Sequence, residues 1–233
     1  MDHIPPDRPV SPELLLLLLA DTRLPVAGHT QSGGLEPAVA SGLRASSVPE
    51  YLAVRLASIT RVEAATAVVA LRLLILAGTD LTTHLAGIET AWAARTPSPA
   101  MRANSRVQAR ALLRTVRRLW PIHPAVALVD HPGVPRAVVL AGAAAAGGLS
   151  GIQLARLVGY DDVQTICAAA LKLLPLDPAL ATHWAHQALP LVEDLAIEVS
   201  GLKAPEDIPV AGAPQLEAWA ESHAVARRRL FSA

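Results

Sequence analysis

Apolar residues recur at steps of three and four along most of the chain, and no stretch alternates with the period of two expected of a half-buried strand. The pattern therefore predicts helix throughout. Its clearest run lies between Ser47 and Ala77, where Leu52, Leu56, Ile59, Val62, Thr66, Val69, Leu73 and Leu76 form one stripe that Arg55, Arg61, Glu63 and Arg72 avoid. Ser47 with Glu50 three positions on is a capping-box pattern, and one helix of about 45 Å would make the spine of a bundle. Thr79 to Arg95 reads as its antiparallel return after a stop at Gly78.

Other elements follow from caps and breakers. Residues 1–10, with three prolines, are expected to be a disordered tail. Ser11-Pro12-Glu13 opens a short helix to Ala20 whose leucines show no polar face, so it is either buried or covered by a partner. Ser98 to Trp120 forms a helix with six arginines and no acid. Arg102, Arg106, Arg110 and Arg114 make a ridge down one face, opposite Leu112, Val116 and Leu119.

Four prolines make 121–136 an irregular crossing, and a small-residue helix, Arg136 to Leu149, suits the centre of a bundle. Asp161 is expected to cap a helix that Pro175 stops after Leu174, and Asp177 to open a long helix to Ser200, bent at Pro190. A loop at 201–214 precedes a last helix from Pro214. The expected fold is a single-domain, all-α bundle of about ten helices over residues 11–226, with a tail at 227–233.

Composition sharpens this in a few places. Of 233 residues, 52% are apolar and 3% aromatic, enough for one large core and weighted toward helix. Zero formal net charge gives no general field for nucleic acid or an anionic membrane. Cys167, the only cysteine, excludes an internal disulfide and fits a reducing compartment. The apolar blocks Leu14 to Ala20 and Ala137 to Leu149 fall short of the roughly 18 residues of a membrane span, and the N-terminus does not read as a signal peptide. A soluble, cytoplasmic protein is expected.

Local charge is uneven. Between Asp177 and Glu221 the acids outnumber a single base, Lys203, so that region is a candidate partner for the arginine ridge, within the molecule or across a homodimer. An acidic partner protein and a solvated face are the other readings, and a nucleic-acid binder through Arg102 to Arg118 is disfavoured by the neutral total and the lack of stacking aromatics.

Candidate chemistry is sparse. His183 and His186 share a helical face but lack the further ligands of a metal site, and His123 and His131 lie in the crossing. No nucleophile motif is present. The alternative to a binding protein is an all-α enzyme whose pocket is lined by these four histidines.

The densest irregular stretch is LPVAGHTQSGGLEPAVASGL, residues 24–43. Glycines at 28, 33 and 34 shape a turn, and a helix restarts at Leu35 with Glu36 at its positive end. Phosphate binding is a poor fit, because Glu36 would repel it and no Gly-Lys-Ser/Thr ending follows. At the other end, arginines before Leu230 and Phe231 do not suit an idle tail, since an exposed Leu-Phe pair costs solvation unless a partner groove or its own domain buries it.

Three segments carry a resemblance to the urease accessory protein UreF family. Leu24, Pro25, Gly28, Ser32, Gly34, Leu35 and Glu36 match its LPxGGFSYSxGLE, although His29, Thr30 and Gln31 replace Phe, Ser and Tyr and Ala27 replaces its first Gly. AAALKLLPLD, with Lys172 and Pro175, is similar to its SAAVKLVPLG; His223, Arg229, Leu230 and Phe231 match its HETQYSRLFRS ending. The resemblance implies a non-catalytic scaffold for nickel insertion into apo-urease, bridging UreD/UreH and the GTPase UreG and modulating GTP hydrolysis. It also implies a homodimer, with nickel and GTP handled by the partners and no cofactor bound directly. Arg228, Arg229, Leu230 and Phe231 are then expected to dock UreD/UreH, and Gly28, Ser32, Gly34 and Glu36 to shape an interaction surface.

Overall fold

In the computed structural model, residues 10–21, 24, 30–76, 81–227 and 229–231 are described. They form eleven α-helices and no strand: α1 (Pro12–Leu19), α2 (Leu35–Ala40), α3 (Val48–Ala57), α4 (Ile59–Leu76), α5 (Leu81–Arg95), α6 (Pro99–Leu119), α7 (Pro124–Leu128), α8 (Arg136–Gly147), α9 (Gly151–Leu173), α10 (Pro178–Val199) and α11 (Pro214–Ala224). The expected all-α bundle is observed. The expected end of the spine helix at Ala77, the stop at Gly78, the first two residues of the expected return helix, Thr79 and Asp80, and nearly all of the expected N-terminal tail lie outside the described residues.

At the centre, α4 packs against α8 and α9, with α5, α6 and α10 around them. Small side chains make this possible. Ala64, Ala65, Ala67 and Ala70 of α4, and Ala137, Ala141, Ala143 and Ala144 of α8, are buried, and short side chains let helix axes approach closely enough for dispersion to act along their whole length. Gly147 performs the same service for α1: a Cβ there would lie 1.8 Å from Leu15 Cδ2.

The predicted 47–77 helix is two helices. At Ser58 the backbone leaves helical values, φ −125° and ψ −93°, and the hydroxyl donates to the Val54 carbonyl at 2.6 Å while the amide turns to Arg55. A serine that bonds the preceding turn offers the chain an alternative to the helical ladder. Ser47 makes no side-chain cap either, because a 3₁₀ turn at Ala45–Ser47 already leads into α3.

Asp161 caps nothing. Ser150 starts α9 with a full capping box, and both Asp161 and Asp162 lie in its interior, where they meet arginines from other helices. The 121–136 crossing contains α7, opened by His123, whose Nδ1 accepts the Ala125 amide. Pro190 sits inside α10 without ending it. In α1 only Leu15 and Leu19 are buried, while Leu14, Leu17 and Leu18 face outward.

The acidic C-terminal third meets the arginine ridge at its first residue, where the Glu221 charge acts on Arg102. Glu193 pairs with Arg156 and Glu198 with Arg61, while Glu221 accepts the Ser98 hydroxyl and the Ala100 amide at the start of α6. No described helix is long and apolar enough to cross a membrane.

Candidate functional site

Glu36 joins the two ends of the chain. It stands in the first turn of α2, and its carboxylate accepts the Leu230 amide at 2.5 Å and the Phe231 amide at 3.0 Å. His223 Nε2, from α11 and 187 residues away in sequence, lies 2.9 Å from the same group and must donate, since a carboxylate only accepts. Burial pushes the Glu36 carboxyl up, but the two tail amides and His223 outweigh it and hold the group below its ordinary value.

The tail is thus partly folded onto its own domain. Phe231 is buried, 4% exposed, with the Lys172 ammonium 5.1 Å from its ring centre, whereas Leu230 is 64% exposed and Arg229 is also exposed. Of the eight expected interaction residues, the structure brings together Glu36, Leu230 and Phe231. Gly34 directs α2 toward them: at φ +82° it holds a left-handed conformation as the N-cap, and a Cβ would lie 2.8 Å from the Tyr51 hydroxyl. Ser32 is fully buried beneath the turn, and its hydroxyl has no partner among the described residues. Gly28 and Arg228 lie outside the described residues.

Beneath this cluster the break at Ser58 has a use. It lets Arg55 at the end of α3 and Thr60 at the start of α4 converge on Asp162. Arg55 donates through Nε at 2.9 Å and Nη2 at 2.6 Å, and Thr60 through its hydroxyl at 2.6 Å. Arg55 Nη1 also donates to the Gly33 carbonyl at 2.7 Å, which Tyr51 approaches at 2.8 Å, so the signature turn is held from below. Burial would push Asp162 up; the Arg55 charge reverses this and leaves its carboxyl lowered. Arg136 pairs with Asp161 at 2.8 Å one position away.

A cavity of about 120 Å³ opens between the turn, α6, α8, α9 and α11, with Gln31, Gly33, Arg55, Glu63, Arg136 and His223 among its walls. Glu63 accepts the Trp92 indole N–H at 2.6 Å, and burial raises its carboxyl above the ordinary value. Gln31 accepts from Asn104 at 2.9 Å and leaves its own amide nitrogen without a partner among the described residues.

None of the four candidate histidines lines this cavity. His123 caps α7, His131 pairs with Glu89 at 2.9 Å, and His183 and His186 are exposed on α10. Cys167 is buried, and burial pushes its thiol up to about 11. Among the described residues, no group of three or more His, Cys, Asp or Glu side chains is arranged to hold a metal ion.

The polar network at the heart of the site came from residues that carried no motif. Arg55 and Glu63 registered only as positions off an apolar stripe, and Arg136 only as a helix start. Other charged residues, Glu50 in α3 and Arg156 and Asp161 in α9, stand beside Arg55 and Asp162, and pairing across 107 residues has no local signature.

Fold and site together define an all-α bundle in which an N-terminal turn and helix receive the C-terminal tail of the same chain. The sequence profile of the UreF family matches residues 44–189. A urease accessory protein UreF from Mycobacterium sp. (strain JLS) is 39% identical over 219 residues, covering 93% of this chain and 97% of its own length. Proteins of the same name from Mycolicibacterium vanbaalenii and Mycobacterium marinum are 36% and 37% identical, with 93% and 94% of this chain and 97% of their own lengths covered. The chain belongs to the urease accessory protein UreF family.

Proposed function

We propose that this protein acts in urease maturation as a non-catalytic scaffold in the cytoplasm, working as a homodimer. It bridges the UreD/UreH accessory protein to the GTPase UreG, modulates GTP hydrolysis and promotes nickel insertion into apo-urease. Nickel and GTP are carried by those partners and no cofactor is bound by this chain. The observation that carries the reading is similarity to proteins named urease accessory protein UreF along nearly the whole chain.

The structure supports a role for the tail. Leu230 is left bare beside an exposed Arg229 while Phe231 is held by the domain, so an apolar side chain and a charge are presented together on a fixed backbone. Such pre-ordering lowers the entropy lost when a partner closes over them. Glu36 and Gly34 act by fixing that presentation, and Ser32 by filling the turn beneath it.

Co-expression with the host's UreD/UreH-type protein, comparing the full chain with one ended after Ala226, tests this. Co-purification of the full chain alone is the expected result. If a folded full chain captures no UreD/UreH-type protein, or if both forms capture it equally, the tail-anchored scaffold is overturned.

A further inference from the structure

We infer that the outer face of α6 is a docking strip for an acidic protein segment. The six arginines of this helix divide into two groups. Arg102 donates to the Thr96 and Pro97 carbonyls, Arg106 to the Gly133 carbonyl while lying 5.7 Å above the Trp92 ring, and Arg117 pairs with Asp130. Arg110, Arg114 and Arg118 are exposed and have no hydrogen-bond or ion-pair partner among the described residues.

At four-residue spacing they rise by about 6 Å per step along the helix, so their charges line one edge. No acid on α6 offsets them. Several acids of the C-terminal third are engaged with other groups: Glu193 with Arg156, Glu198 with Arg61, Glu221 with the start of α6 and with Arg102, and Asp207 with the Lys203 and Ala204 amides.

The occupant is protein and not nucleic acid for two reasons. Val107 lies on the same face one turn from Arg110 and is exposed, and Ile122, just past the end of the helix, stands bare at 95% exposure. A phosphate backbone leaves such side chains wet, whereas a protein segment covers them, and arginine with apolar neighbours is the composition enriched at protein interfaces. The neutral chain also lacks the broad positive field that drives polyanion binding. The complementary segment carries carboxylates at helical four-residue spacing with apolar side chains between them.

The test uses the full chain and a fluorescent synthetic helix with Glu at every fourth position and Leu between, followed by anisotropy at low and at moderate salt. The triple variant Arg110→Glu, Arg114→Glu, Arg118→Glu is the comparison, with its thermal midpoint measured to show that it folds. The triple Lys variant keeps the charge. Salt-sensitive binding by the wild type, retained by the Lys variant and weakened about tenfold or more by the Glu variant, is expected. Equal binding by the wild type and a folded Glu variant overturns the proposal. So does tighter binding of the wild type to a short DNA duplex or to phosphatidylserine vesicles than to the peptide.

Discussion

Arginine is used in opposite ways on the two sides of α6. On the inner side, Arg55 and Arg136 face carboxylates from α9, with side chains only 11% and 17% exposed. On the outer side, Arg110, Arg114 and Arg118 face water. The same residue type is structural in one place and available in the other, and what separates the two is the dielectric around it. A guanidinium taken from water demands a fixed partner, and removing one member leaves an uncompensated buried charge; an exposed one is solvated at little cost.

The largest expected effect comes from breaking the inner pair. Arg55→Ala strands Asp162 and frees the Gly33 carbonyl, and is expected to lower unfolding free energy by about 3–5 kcal/mol in urea titrations. A loss under about 1 kcal/mol would mean that Asp162 is solvated well enough without it. Phe231→Ala comes next, at about 1.5–3 kcal/mol of tail docking. It should appear as faster hydrogen exchange at the tail amides with the global midpoint little changed, because only the chain end is released.

Gly34→Ala follows, at about 1–2 kcal/mol for the left-handed backbone alone, with the Tyr51 contact adding to it; equilibrium denaturation reads this directly. Acidification acts on the same cluster. Because the folded Glu36 carboxyl lies below its ordinary value of 4.5, its contribution is fully present above that value and is lost as pH falls through the lowered one. Tail amide protection should therefore persist at pH 5 to 7 and fall at lower pH, about as steeply as one titrating group allows. Glu36→Gln should show the weakened protection already at pH 7.

Smallest of all, Arg110→Gln, Arg114→Gln and Arg118→Gln together should change stability by no more than about 0.5 kcal/mol. A clear destabilisation would show that the outer arginines are structural after all, and would remove the contrast.

The elements were readable because each is signalled locally. Ser98 caps α6 through the Met101 amide, and Asp177 caps α10 through the Ala179 amide, where Ser-Pro and Asp-Pro place a side-chain acceptor before a residue that needs no amide proton. Where the reading failed, two local signals competed. Ser58 lay within a continuous helical pattern, and a hydroxyl bonded to the preceding turn does not mark a break, since Thr66 bonds Val62 in the same way inside α4; the break is in the Ser58 backbone, at φ −125° and ψ −93°. Asp161 suited a cap as well as an interior partner, and the arginine that decides between them comes from α8.

The sequence by itself determined helix content, most helix ends and the turn at Gly33 and Gly34, because propensity, capping and backbone sterics act within a few residues. Family membership was legible for a similar reason: short ordered segments suffice to recognise it. Tertiary structure alone decided that Glu36 holds the tail, that Asp162 is shared by Arg55 and Thr60, and which arginines on α6 stay bare. Those outcomes depend on which groups meet across a hundred residues or more and on how much water is excluded when they do, and neither quantity is carried by any local stretch of chain.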